Sequence, residues 1–234
     1  MRRNTPGVVR AEETIDARVA RAEGHDADRV IRVLEPLVTE ERRGRLLEVI
    51  GRRLWSVAAV FDGPYDPHNG AAVVRTCEAF GVQRLHVVER TGTPFAMAHS
   101  VARGAEKWID LVRHTGPATV LAWSRDAGMP LVAADAAGEL GPEDLRAMPR
   151  VALVLGNERE GVREEIARAC TGRVRVPMRG FVESLNVSVT AAILLQVATH
   201  GRPGDLDDRE RRRLYARGLY LSVPHAEDVL GAVR

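Results

Sequence analysis

The sequence predicts an α/β domain, a parallel sheet with helices on both faces. Two observations carry this. From Trp55 to about His200, short apolar or β-branched runs alternate with segments of helical periodicity, the ordering that builds parallel sheets. Some of those runs, Val151 to Leu155 above all, are apolar throughout, as a strand is when helices cover both faces of its sheet.

Composition agrees with a globular chain. Its 234 residues, 45% of them hydrophobic, suffice for a core. The N-terminus MRRNTPGVVRAEETIDARVARAEGHDADRV is charged throughout, without the apolar centre of a secretory signal. No stretch reaches the roughly 20 apolar residues of a membrane span, so a cytoplasmic protein is expected. Cys77 and Cys170 lie far apart with no Cys/His cluster, which argues against a disulfide framework and against a metal site. A formal charge of +2, from 34 basic and 32 acidic residues, gives little support for nucleic-acid binding by net charge. Lys107 is the only lysine, so an individual arginine is first of all a solvated surface residue.

Along the chain, residues 1–28 are charged and alanine-rich and read as a loosely ordered tail with some helical tendency. Residues 29–54 form a helical extension. Val30, Ile31, Val33, Leu34 and Leu37, then Leu46, Leu47, Ile50 and Leu54, recur near helical spacing, with a break marked by Pro36 and Thr39. Its second helix carries Arg42, Arg43, Arg45, Arg52 and Arg53 against Glu48. The plain reading is a solvated face; the functional one is a phosphate-contacting surface.

Residues 55–201 are the α/β domain. Strands are expected at Ser56 to Phe61, Leu85 to Val88, Trp108 to Val112, Leu131 to Ala134 and Val151 to Leu155. Helices are expected at Gly70 to Phe80, Thr119 to Asp126 and from about Val162. The stretch VRVPMRGFVESLNVSVTAAILL, Val174 to Leu195, supplies the last strand, a tight loop at Pro177 and Gly180, and an apolar helix from about Ser184. In that helix Ser184, Asn186, Ser188 and Thr190 alternate with apolar residues. Buried polar groups of this kind need partners, because each one left unpaired costs about 1–3 kcal/mol. Residues 202–234 begin with a polar break, Pro203 to Asp208. A basic amphipathic helix follows, bearing Arg211, Arg212 and Arg213 beside Leu214, Tyr215, Leu219 and Tyr220. It could pack on the domain, touch RNA, or do both.

Ligands of an open parallel sheet bind beyond the carboxyl ends of its strands. Three glycine-containing polar loops lie there: Asp66 to Gly70, Gly156 to Gly161 and Pro177 to Glu183. The sequence holds no GxGxxG, GxxxxGK[ST], HExxH or GxSxG, so a dinucleotide site, a P-loop, a zincin and a serine hydrolase all lose support. Taken singly, Asn69 reads as a helix cap, Arg75 as an ion-pair partner and Glu158 as a loop carboxylate. The residues themselves lead to an α/β domain with a pocket.

Three segments together, PHNGAAVVRTCEAFGV (Pro67 to Val82), LVLGNEREGV (Leu153 to Val162) and VPMRGFVESLNVSVTAAILL (Val176 to Leu195), resemble in order and spacing the motifs of the SpoU/TrmH family. These are S-adenosylmethionine-dependent RNA 2′-O-ribose methyltransferases of the SPOUT class. The helical flanks look like the TrmH branch, which modifies the D-loop guanosine 18 of tRNA. The resemblance implies a sheet whose C-terminal part threads a trefoil knot, an exception to the rule against knotted chains, and a homodimer with its active site near the interface. It implies that Asn69, Arg75, Glu158, Ser184 and Asn186 serve catalysis, and that Leu155, Gly156, Val176, Met178 and Leu185 hold the cofactor. Gly70 departs from relatives that often carry a larger residue. A ribosomal RNA methyltransferase and a non-catalytic RNA-binding module on the same fold are the alternatives.

Overall fold

The computed structural model describes residues 15–90, 95–157 and 159–233. Among the described residues, six parallel strands form one sheet in the order β3-β2-β1-β5-β4-β6. They are β1 (Leu54–Asp62), β2 (Val82–Val88), β3 (Asp110–His114), β4 (Leu131–Ala134), β5 (Val151–Leu155) and β6 (Gly172–Val174).

The central pair explains the apolar runs. In β1, Val57, Ala59 and Phe61 join the core on one face, and Ala58 and Val60 the core on the other; in β5 the division is Val151, Leu153 and Leu155 against Ala152 and Val154. Strand periodicity sends alternate side chains to opposite faces, so a strand covered twice must be apolar at every position.

Helices are numbered in chain order: α1 (Ile15–Gly24), α2 (Ala27–Leu34), α3 (Glu40–Ile50), α4 (Pro67–Ala79), α5 (His99–Ala102), α6 (Pro117–Asp126), α7 (Pro142–Ala147), α8 (Glu164–Ala167), α9 (Val187–Thr199), α10 (Asp208–Ser222) and α11 (Ala226–Ala232). α4, α7 and α9 pack together over one face of the sheet, and α6 and α8 cover the other. On that second face His86 is 1% exposed and its Nδ1 lies 2.8 Å from His114 Nε2. Burial, with His114 adding to it, pushes the His86 imidazole down to about 3.

The two chain ends do not form separate extensions. Ala22, Val30, Leu34, Leu46 and Ile50 share one core with Leu214, Tyr215, Leu219, Tyr220 and Leu230, so α1 to α3 and α10 to α11 make a single helical cap. Charge closes it. Arg213 meets Glu23 (2.8 Å), Asp110 (2.7 Å) and Glu210 (2.8 Å), and Arg217 meets Glu23 and Asp110. The polar break before α10 is fastened too: the Asp205 carboxylate accepts the backbone N–H groups of Trp55 and Ser56 at the start of β1.

Several expectations are corrected here. Residues 15–24 of the expected tail are helical and residues 27–28 begin α2, because Ala22 and Val30 are buried against α10; residues 1–14 lie outside the described residues. α9 starts at Val187, where the Asn186 side chain accepts from Ser188 N (2.8 Å) and caps the helix. Ser184 therefore lies in the preceding loop. Ser184 and Asn186 are exposed, and Ser188 and Thr190 half-buried, so the alternating polar groups do not sit in a closed core. The cap of α4 is Asp66, which accepts from His68 N, rather than Asn69. The final strand ends at Val174, where its pairing with β4 ends, and the expected helix near Val162 is the single turn α8. α5, α7 and α11 carry too little periodicity to be read from sequence.

Candidate functional site

A cavity of about 430 Å³ opens at the carboxyl edge of the sheet, within the range of small-molecule sites. It lies where β5 sits between β1 and β4. Leu155, Gly156, Val176, Met178 and Leu185, the five residues expected to hold a cofactor, all line it, as do Ser184 and Asn186. Ala134, Asp135 and Ala136, in the loop leaving β4, line it as well. That loop was not among the three read from sequence. The signal was available, since the apolar run ends at Ala134 and a strand's carboxyl end is where ligands bind.

The loop after β5 is shaped by close approach. A Cβ on Gly156 would lie 2.1 Å from the Gly161 carbonyl carbon and 2.4 Å from Val162 N, so no side chain fits there. Asn157 and Gly161 exchange backbone hydrogen bonds (3.3 and 3.0 Å), and Gly161 turns the chain at φ +66°. Asn157 Oδ1 accepts from Arg159 N and Glu160 N, each at 2.9 Å. Glu158 falls in this loop and lies outside the described residues.

Below the loop, Asp62 at the end of β1 is fully buried and accepts from Arg163 N and Nε, each at 2.7 Å. The same guanidinium reaches the carbonyl of Val88 at the end of β2 (3.3 Å). This ion pair ties the loop to the floor of the sheet. Neither residue was singled out in the sequence, because an Asp and an Arg 101 positions apart give no local pattern.

The loop after β1 does not line the cavity, yet it joins it. Asn186 Nδ2 donates to Asn69 Oδ1 (3.1 Å), which brings the first turn of α4 to the start of α9. Arg75, nearly two turns further along α4, is exposed and has no ion-pair partner among the described residues. Gly70 is accounted for by its neighbour. A Cβ there would stand 2.7 Å from Phe95 Cε2, so in this chain the aromatic ring fills the space that a larger residue would take.

Residues 56–196 match the SpoU rRNA Methylase family. The tRNA (guanosine(18)-2′-O)-methyltransferase of Thermus thermophilus is 34% identical over 180 residues, covering 74% of this chain and 90% of that protein. The chain belongs to the SpoU family. Among solved structures, the Aquifex aeolicus TrmH/SpoU tRNA modifying enzyme is similar with a TM-score of 0.71 and 28% identity, over 79% of this chain and 98% of that one. An AdoMet-bound rRNA methyltransferase from Sinorhizobium meliloti has a TM-score of 0.56 and 28% identity, over 65% of this chain and 59% of that one.

For a SpoU chain, the donor set fits a nucleoside with an amino-acid tail. Leu155, Val176 and Leu185 give apolar walls for a flat base, and Gly156 lets backbone come close. Asn157 lines the cavity with its Nδ2 buried and without a partner among the described residues. Among those residues no group of three or more His, Cys, Asp or Glu gathers as a metal site, and no helix is long and apolar enough to cross a membrane.

The expected RNA contacts divide. Arg211 is exposed. Arg42 lies over the Trp108 ring (5.5 Å) and bonds Ser222, while Arg45 and Arg52 share Glu48. Arg43 is half-buried and Arg212 pairs with Asp28. Arg53 is 3% exposed and bound to Glu78 (2.9 Å), which removes it as a surface phosphate donor. Arg213 is engaged by three carboxylates, as described above.

Proposed function

We propose that this chain transfers the methyl group of S-adenosylmethionine to the ribose 2′-hydroxyl of guanosine 18 in the tRNA D-loop. The observation that carries the reading is the Asn186–Asn69 hydrogen bond. It joins the cavity suited to the cofactor to the helix bearing Arg75. The printed activities of the Thermus and Aquifex proteins supply the substrate class.

S-adenosylmethionine supplies a methyl group already activated on a sulfonium, so the protein's task is to align the attacking oxygen and favour loss of its proton. In this reading Asn69, Ser184 and Asn186 orient the ribose edge, with Glu158 from the neighbouring loop. Arg75 is the cation that stabilises the developing alkoxide and holds the adjacent phosphate. A guanidinium, with a pKa above about 12, is a poor general base. Substantial activity in Arg75→Lys would show that the forked guanidinium is dispensable.

The reading extends to assembly. Phe181, Val182 and Val189, which flank cavity-lining residues in sequence, are exposed, and these apolar side chains support a homodimer with the active site near its interface. A trefoil knot in the C-terminal part of the domain, a methyltransferase domain over residues 55–201 and a cytoplasmic location belong to the same proposal. The exposed Arg211, with Arg42, Arg45 and Arg52, would add long-range attraction for RNA. Incubation with labelled cofactor and either tRNA or rRNA decides the substrate. Transfer confined to rRNA, the substrate in the family's own description, would replace the tRNA reading.

A further inference from the structure

Tyr65, in the loop between β1 and α4, is 40% exposed, and two guanidinium groups lie against its ring. Arg159 is 4.8 Å and Arg90 5.0 Å from the ring centroid. The three residues come from the loops that follow β1, β2 and β5, so only the folded sheet brings them together. Arg90 is fixed in place. It pairs with Glu160, whose carboxyl it holds below the usual range, and its Nε passes where a Cβ on Gly63 would stand 2.6 Å away.

Arg159 is exposed and has no ion-pair partner among the described residues. Arg90 is paired with Glu160, and Arg159, which acts on the same carboxylate only at longer range, adds a second positive charge to this corner among the described residues. Its backbone is held by Asn157, which lines the cavity; Tyr65 stands four residues before Asn69. The corner is thus tied to the cavity through Asn157 and to α4 through the loop that carries Tyr65.

We propose that Tyr65, Arg90 and Arg159 form a docking corner for a phosphodiester of the RNA strand next to the methylated ribose. The proposal rests on the RNA methylation reading above. A guanidinium stacked on an aromatic face keeps its edge N–H donors free and pre-oriented, and that planar fork matches phosphate oxygens. RNA is the occupant because the corner adjoins the residues that take the ribose, and a strand entering or leaving that ribose carries phosphate on both sides.

The test uses the full chain with tRNA, measuring KM and kcat for methylation, tRNA Kd across a salt series, and cofactor Kd by calorimetry. Arg159→Met is expected to raise KM and Kd for tRNA about 5- to 10-fold and to reduce the slope of log K against log salt by about 1. The rise in KM should exceed any fall in kcat, with cofactor Kd unchanged. Arg159→Lys should recover the salt slope and only part of the affinity. Tyr65→Leu should give a smaller loss that Tyr65→Phe does not. An unchanged tRNA KM and salt slope in Arg159→Met overturns the proposal. So does a cofactor Kd that rises in step with KM, which would mark Arg159 as shaping the loop only. A wild type that methylates rRNA alone removes the tRNA reading and moves the same comparison to rRNA; a wild type that accepts no RNA overturns both.

Discussion

In the helical cap Arg212 is bound to Asp28, Arg213 to Glu23, Asp110 and Glu210, and Arg217 to Glu23 and Asp110. On α4 and in the loop after β5, Arg75 and Arg159 have no ion-pair partner among the described residues. The same side chain thus serves opposite purposes in the two regions. In the cap it fastens α1 and α10 to β3, where partial burial makes the loss of one partner far more costly than at an exposed pair. Arg75 and Arg159, by contrast, are left available to a polyanion, while Arg90 and Arg163 nearby are paired. Net charge hides this difference, because a paired and an open arginine count alike.

The contrast predicts that variants of the open arginines lose activity with little loss of stability, and cap variants the reverse. Arg75→Met should bring the largest effect, a fall in kcat of about 100-fold or more, with the thermal midpoint and the calorimetric cofactor Kd close to wild type. Gly156→Ala should come next. Its added methyl has no room against Gly161 and Val162, so cofactor binding should weaken at least about 10-fold, read by the same titration.

Asp62→Asn blurs the contrast, since Asp62 lies under the cavity loop and fully inside the protein. A destabilisation of about 3 kcal/mol in denaturant unfolding is expected, from leaving Arg163 without its counter-charge, together with weaker cofactor binding. Arg217→Met tests the other side. Hydrogen exchange in α1 and α10 should quicken, for a loss of about 2 kcal/mol, while cofactor Kd stays put; a change in that Kd would show the two regions to be coupled.

A further expectation concerns pH. The folded His86 takes its proton only near 3, against an ordinary value near 6.5. Below about 6.5 the unfolded chain binds a proton that the folded one does not, so stability falls as pH drops from there toward 3, by at most about 1.4 kcal/mol per unit. His86→Phe should flatten that slope between about pH 6.5 and 5, measured by denaturant unfolding.

The parallel sheet was readable because β1 and β5 are apolar at successive positions, and burial on both faces requires that of any sequence. Leu131 to Ala134 and Val151 to Leu155 were placed with the bounds the structure gives them. The cavity was partly legible. The five residues that the resemblance assigned to a cofactor all line it, whereas the wall from Ala134 to Ala136 was missed. The Asp62–Arg163 pair was beyond reach, because nothing local in the chain links a residue in β1 to one before α8. Arg53 was misplaced for a related reason: its neighbours in sequence suggest a basic surface, and only packing carries it inward to Glu78.

By itself the sequence determined the fold class, most strand and helix positions and, through three spaced segments, the family. Those properties follow from periodicity and from glycine and polar residues at fixed spacing, which are local. Tertiary structure alone decided which arginines are open and which are paired, that the two chain ends share one core, and that Asn69 meets Asn186. Each of these depends on a distance between residues far apart along the chain, and such distances exist only once the sheet has closed its loops together.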